Sequence, residues 1–245
     1  MSTVTAVKRV ARRPLDAALG PRLGSVVRVR GGGQRVVLTF DDGPLPGVTE
    51  LLVEVLGAHN MTATFFMLLT RARKVPSLVR DVAEAGHEVA LHGLDHRRMT
   101  TLPPGEATEW LRRGHSELQE ILGQPVRWFR PPHGAQSVTN RVAAGRLGLA
   151  PVLWSGTTWD WKDVSHKERV AKAMQDAVPG AIILAHDGAA DASDLAVDLP
   201  VPGVDKPRLL GEVLSGLEAR GLGGYSYGAA LAAGAVPVRR LSFAH

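Results

Sequence analysis

Seven short apolar runs rich in strand-forming residues, each separated from the next by a stretch with helical spacing, restrict this chain's fold more than any other feature. The runs are Val36–Phe40, Ala63–Leu68, Glu88–Leu91, Val126–Phe129, Pro151–Trp154, Ala181–Ala185 and Gly224–Tyr227. The segments between them predict helices over Val48–His59, Pro76–Ala85, Pro104–Leu122, Thr139–Leu147, His166–Ala177 and Pro207–Arg220. Thr49 precedes Leu51, Leu52 and Val55, and Gly86 follows Ala85, which are start and stop signals of such helices. Alternating strands and helices build βα units around a parallel sheet. The expectation is an α/β fold, a distorted (β/α) barrel of about seven parallel strands.

A chain of 245 residues suits one large domain, and 44% hydrophobic with 22% charged residues is the balance of a globular protein. The net charge of +5 is unevenly spread: residues 1–30 carry seven Lys or Arg against Asp16 alone, which leaves the remainder at −1. The expected organisation is a basic, solvated N-terminal arm over residues 1–34 and a single domain over 35–245, with no nucleic-acid partner. No cysteine is present, so disulfides, thiol nucleophiles and thiolate metal sites are excluded. Any metal must be held by His and carboxylate. Gly20, Pro21 and Arg22 interrupt the apolar stretch Ala17–Leu23, and no run approaches the ~18 apolar residues of a membrane span. The sequence as it stands predicts a cytoplasmic protein, with export left open where a trimmed leader preceded it. The stretch Gly188–Lys206 lacks periodicity and reads equally as a passive surface loop or as a lid.

Chemistry-capable side chains follow the apolar runs at their C-terminal ends in five places. Asp41 and Asp42 follow the first, His92 the third, Arg130 the fourth, Asp160 lies a few residues beyond the fifth, and His186 follows the sixth. In a barrel of parallel strands these ends meet at one face, where such folds carry their sites. Asp41-Asp42-Gly43-Pro44 alone reads as a turn. Neighbouring residues leaving a strand point in different directions, however, so one carboxylate can hold a metal while the other takes a proton. His92 and His96 have a spacing that lets both imidazoles reach one ion, and with Asp42 they make a two-nitrogen, one-oxygen set with positions left open. Asp95, inside that pair, is expected to support the ligands rather than to join them. In Arg130-Pro131-Pro132-His133-Gly134 the prolines fix a loop whose His133 amide can face an oxyanion while Arg130 orients a carboxylate. Asp160 beside His186 would favour the imidazolium and make it a general acid.

With these residues assembled, the sequence resembles the NodB-homology polysaccharide deacetylases, carbohydrate esterase family 4. The family's five motifs occur in order, at Thr39–Gly43, His92–His96, Arg130–Gly134, Asp160-Trp161 and Leu184–Asp187, within a match spanning roughly residues 35 to 227. The resemblance implies Asp41 as general base, Asp42, His92 and His96 as metal ligands, and Arg130 as the residue that positions the base. It further implies the His133 amide as oxyanion donor, Asp160 as the acid tuning His186, Trp161 and Leu184 as walls of an acetyl pocket, and His186 as general acid. Two positions depart from the pattern. Gly93 stands where the family usually has Ser or Thr, and His133 where it usually has Tyr.

The resulting expectation is a metal-dependent carbohydrate deacetylase, a hydrolase of non-peptide C–N bonds acting on an N-acetylated saccharide. Zn2+ is first choice by ligand type, with Co2+, Ni2+, Mn2+ and Fe2+ also compatible. An acetyl-ester hydrolase or amidase on a non-sugar substrate, and a non-catalytic carbohydrate-binding protein on the same fold, are the alternatives.

Overall fold

The computed structural model describes residues 19, 20, 23–196 and 202–243. Its elements run β1 (Ser25–Arg30), β2 (Arg35–Gly43), α1 (Thr49–Ala58), β3 (Thr64–Leu68), α2 (Leu69–Ala72), α3 (Pro76–Glu84), β4 (Glu88–Gly93), α4 (Pro104–Leu122) and β5 (Trp128–Phe129). They continue as α5 (Val138–Arg146), β6 (Ala150–Pro151), β7 (Gly156–Thr157), α6 (His166–Asp176), β8 (Ile182–His186), α7 (Lys206–Ala219), β9 (Gly223–Tyr225), α8 (Tyr227–Ala232) and β10 (Val236–Arg240).

The main sheet is parallel, in the order β6-β5-β4-β3-β2-β8-β7, with β9 pairing the start of β2. This is the curled (β/α) barrel that the alternation predicts, and β2 is its centre. Eight of the nine β2 residues are buried, as a parallel strand covered on both faces requires. One set of side chains, including Leu38, Phe40, Phe65, Met67 and Leu91, faces the surrounding helices and packs on Leu52, Leu56, Leu111, Leu118 and Leu214. The alternating set, Val37, Phe66, Ala90 and Ile182, faces the inside of the curl.

Three departures from the sequence reading have clear causes. Residues 25–30, expected in the basic arm, form β1, which pairs antiparallel with β10. Val26 and Val29 pack among the inward-facing Val37, Phe66 and Val152, so this two-stranded sheet fills the interior of the curl. The expected boundary after residue 34 therefore falls in the short link between β1 and β2, while residues 1–18, 21 and 22 of the arm lie outside the described residues. The run Pro151–Trp154 is split. Val152 still donates to Phe129, but Leu153 donates to Val26 and Ser155 to Ile182, so the chain changes partners and reaches β8 as the separate strand β7. The run Gly224–Tyr227 ends early because the Ser226 hydroxyl accepts from Ala229 N–H and starts α8, burying Tyr227. Among the described residues no helix is long and apolar enough to cross a membrane.

Phe65 is fully buried and stacks on Phe40 with ring centroids 4.9 Å apart. Phe65→Ala should cost about 3–5 kcal/mol of unfolding free energy in urea titrations. A loss below about 1 kcal/mol would show that this layer is not the core.

Candidate active site

Parallel register delivers the polar residues to one end of the sheet. Asp41 on β2 lies opposite His186 on β8 and Phe66 on β3, and His92 ends β4 one strand beyond. Asp42 takes a left-handed conformation, φ 72°, which Asp tolerates better than most residues and which turns its carboxylate away from that of Asp41.

Asp42 Oδ1 lies 3.3 Å from His92 Nε2 and 3.3 Å from His96 Nε2, and one ligand atom from each of the three residues falls within 4.8 Å of the others. All three are buried. His92 Nδ1 donates to the Arg130 carbonyl oxygen at 2.9 Å, which fixes the ring and turns its Nε2 toward Asp42. Asp42 Oδ1 is buried with no hydrogen-bond partner. Burial pushes its carboxyl up, but the two imidazoles hold it well below the usual carboxylate range. An orphaned anionic oxygen facing imidazole nitrogens in a buried site is the donor set of a divalent cation, and these residues fit one.

Two ion pairs flank the triad, one sealed from solvent and one whose histidine is part-exposed to the cleft. Arg130, with no exposed surface, donates through Nη1 to Asp41 Oδ1 at 2.7 Å and to Thr39 Oγ1 at 2.9 Å. Its remaining donors reach the Val152 and Leu153 carbonyls, and its plane lies 4.1 Å over the Phe66 ring. Burial pushes the guanidinium pKa down and Asp41 opposes that push. On the other side, His186 Nδ1 donates to Asp160 Oδ1 at 2.9 Å, and the His186 backbone N–H donates to Asp160 Oδ2 at 2.8 Å. Burial disfavours the imidazolium, but the Asp160 carboxylate, reinforced by Asp42 and Asp41, raises His186 to about 9. Burial likewise disfavours the Asp160 anion, yet His186 and Lys206 bring it down to about 2.

Asp41, Asp42, His92, His96, His133, Trp161, Leu184 and His186 line one cleft of about 460 Å³, whose floor also includes Trp154. That is a small-molecule volume, apolar walls with a few convergent polar groups. Arg130 and Asp160 sit behind it, so all ten expected site residues gather around one opening. His186 meets Trp161 edge-on at 5.2 Å. Asp95 stands apart from the ligand triad: its carboxylate is paired with Arg97 Nη2 at 2.9 Å.

Residues 28–152 match the family model described as polysaccharide deacetylase. A chitooligosaccharide deacetylase of Azorhizobium caulinodans is 34% identical over 167 residues, covering 68% of this chain and 80% of that protein. The chain belongs to the polysaccharide deacetylase family. A peptidoglycan-N-acetylglucosamine deacetylase of Listeria monocytogenes is 35% identical over 63% of this chain but only 32% of its own length. A family 4 carbohydrate esterase from Streptomyces lividans, solved in complex with acetate, superposes with a TM-score of 0.67 at 29% identity, covering 78% of this chain and 92% of that one.

Within this polysaccharide deacetylase, both departures from the motif pattern have local explanations. His133 adopts φ 59° after two prolines and turns its ring against His96, centroids 4.5 Å apart. At Gly93 a Cβ would lie 2.4 Å from the Trp110 ring and 2.8 Å from the Asp95 carbonyl; Trp110, buried on α4, fills the space that a Ser or Thr side chain would need. Sequence reading passed over Trp154, Lys206, Thr39 and Asp187. Lys206 donates to the carbonyls of His186 at 2.8 Å and Gly188 at 3.2 Å. Asp187 is fully buried, accepts from the Thr49 hydroxyl at 2.7 Å, and is pushed up by burial to about 7. Thr39 and Asp187 lie inside quoted motifs, whereas Lys206, at the first turn of α7, carries no spacing that marks it.

Gly93→Ser should lose about 1–3 kcal/mol of stability through overpacking against Trp110. Thermal melts of the single variant and of Gly93→Ser/Trp110→Leu test this, since the smaller residue should recover part of the loss; an unshifted single variant would contradict it.

Proposed function

We propose that this chain is a metal-dependent hydrolase that removes the acetyl group from N-acetylated saccharides, releasing acetate and leaving a free amine. The observation that carries the reading is the meeting, in one cleft, of the Asp42–His92–His96 triad with the Asp41–Arg130 and His186–Asp160 pairs. The names of the relatives, which act on chitooligosaccharide and peptidoglycan N-acetylglucosamine, support an N-acetylated sugar as substrate.

Asp42, His92 and His96 would hold the cation, with Zn2+ first among the divalent ions that suit this ligand set. A bound divalent cation supplies Lewis-acid polarisation of the acetyl carbonyl and makes water more acidic. Asp41, oriented by its ion pair with Arg130, takes the proton from water as its oxygen adds to the carbonyl carbon. The His133 amide, on its proline-fixed loop, stands beside the developing oxyanion. His186, kept protonated by Asp160, gives its proton from Nε2 to the sugar nitrogen as the C–N bond breaks, so acetic acid and amine leave, and Asp41 releases its proton to solvent as His186 regains one. Trp161 and Leu184 line the space for the acetyl methyl, and Trp154 closes the floor.

Acetate release from N-acetylglucosamine oligomers, acetylated xylan and small N-acyl compounds measures both activity and substrate class. Asp41→Asn and His186→Ala should each lower kcat by about 10²–10⁴, and His92→Ala should lose bound metal. Full acetate release by Asp41→Asn in metal-replete protein would rule out this mechanism.

The pH dependence has a defined sign. The active form of His186 is protonated and its pKa is raised to about 9 from 6.5, so the rate falls as pH rises. A cation on Asp42 cancels part of the charge that raises His186, which places the alkaline limb below 9. Asp160→Asn removes the main stabilising anion and should move that limb to lower pH; an unmoved limb in kcat profiles would contradict the assignment.

A further inference from the structure

A buried ion pair outside the reaction described above braces two of the three triad residues. Asp194 is fully buried on the segment that follows His186. Its carboxylate accepts from the Thr70 hydroxyl at 2.6 Å and from Arg71 Nε at 2.8 Å, with Arg71 Nη2 also 2.8 Å away. Arg71, on α2, donates through Nη2 to the Ala189 carbonyl at 2.6 Å. Two backbone links run from this pinned segment to the triad. The Asp194 carbonyl accepts from the His96 backbone N–H at 2.8 Å, and Ala190 N–H donates to Asp42 Oδ2 at 3.4 Å. Gly188 lies so close that a Cβ there would stand 2.4 Å from the Asp42 carbonyl oxygen and 2.8 Å from Arg71 Nη1.

We infer that Arg71 and Asp194 are positioning residues for the cation site, clamping residues 188–196 so that their backbone holds the Asp42 carboxylate and the His96 turn in ligand geometry. The inference rests on the reading of Asp42, His92 and His96 as metal ligands. Charge and geometry act together. Asp194 neutralises a guanidinium that would otherwise repel a cation at Asp42, and Arg71 fixes Ala189 next to the Ala190 amide that orients Asp42. Partners of metal ligands act in this way, fixing ligand orientation without touching the ion. Of the two readings open for Gly188–Lys206, a passive loop or a lid, the described part to Ala196 is neither: it is a strap tied to α2. Residues 197–201 lie outside the described residues.

The test is Zn2+ affinity, measured by competition with a chromophoric chelator on the full chain, alongside melting of the metal-free protein. The variants are Arg71→Met, Arg71→Lys, Asp194→Asn and, as a control, Arg169→Met. Arg169, on α6, is equally buried but donates to the Lys162 carbonyl instead of to a segment that bonds the triad. Arg71→Met and Asp194→Asn should weaken Zn2+ binding by about 10–100-fold, Arg71→Lys should recover only part because an ammonium cannot serve Asp194 and Ala189 in the same planar fork, and the control should melt lower while binding as the wild type does. Asp194→Asn keeps the size of the side chain, and its folded fraction by circular dichroism supports the measurement even where Arg71→Met does not fold. Binding by folded Asp194→Asn and Arg71→Lys within about twofold of wild type would overturn the inference. Wild-type binding no tighter than that of His92→Ala would instead overturn the metal reading beneath it.

Discussion

An anionic carboxylate oxygen and two imidazole nitrogens turned toward one another inside a buried cleft set the terms for everything else in this protein. Asp42 Oδ1 lies 3.3 Å from each nitrogen, and holding a carboxylate in a buried place is costly without compensating charge. The chain holds this arrangement by firm means: a left-handed residue near the end of the central strand, a histidine whose far nitrogen is tied to the Arg130 carbonyl, and a second histidine held by its own backbone amide. These constraints bring three potential ligand atoms within reach of one another, and the proposed cation site rests on that meeting.

The two flanking ion pairs divide the remaining chemistry by environment. Arg130 is sealed among Phe66, Thr39 and the Val152 and Leu153 carbonyls, and its charge is answered by Asp41 beside the cleft. Asp160 does the reverse for His186, using burial that would otherwise strip the imidazolium of its proton to strengthen the attraction that keeps it. A carboxylate and a histidine thus face the same opening, and the proposed acid–base roles rest on that pairing. Lys206 joins the pair from α7, binding the main chain of His186 and Gly188 and standing 3.6 Å from Asp160 Oδ2.

Much of this was legible in the sequence because it is local or periodic. Strand positions, the helix over Pro104–Leu122, and the five polar residues at strand ends follow from apolar period and from the convergence of parallel strands. What escaped is information that lives in pairing between distant segments. Ser25–Arg30 alternates Val with Arg, and its arginines gave it the look of a solvated leader, although its valines fill the curl once β10 lies beside it. Arg71 and Asp194 are separated by 123 positions, and no spacing rule joins them. Gly93 stands in the sequence as a bare departure from Ser or Thr; only Trp110, arriving from α4, shows why a side chain does not fit there.

Crystals of the protein grown with Zn2+, with diffraction recorded on both sides of the zinc absorption edge, test the central claim most directly. The account predicts one strong anomalous peak at bonding distance from Asp42, His92 Nε2 and His96 Nε2, with Asp41 and His186 facing it across the cleft. An absence of anomalous density among these three side chains in zinc-saturated crystals, or a peak held by other residues in their place, would contradict it.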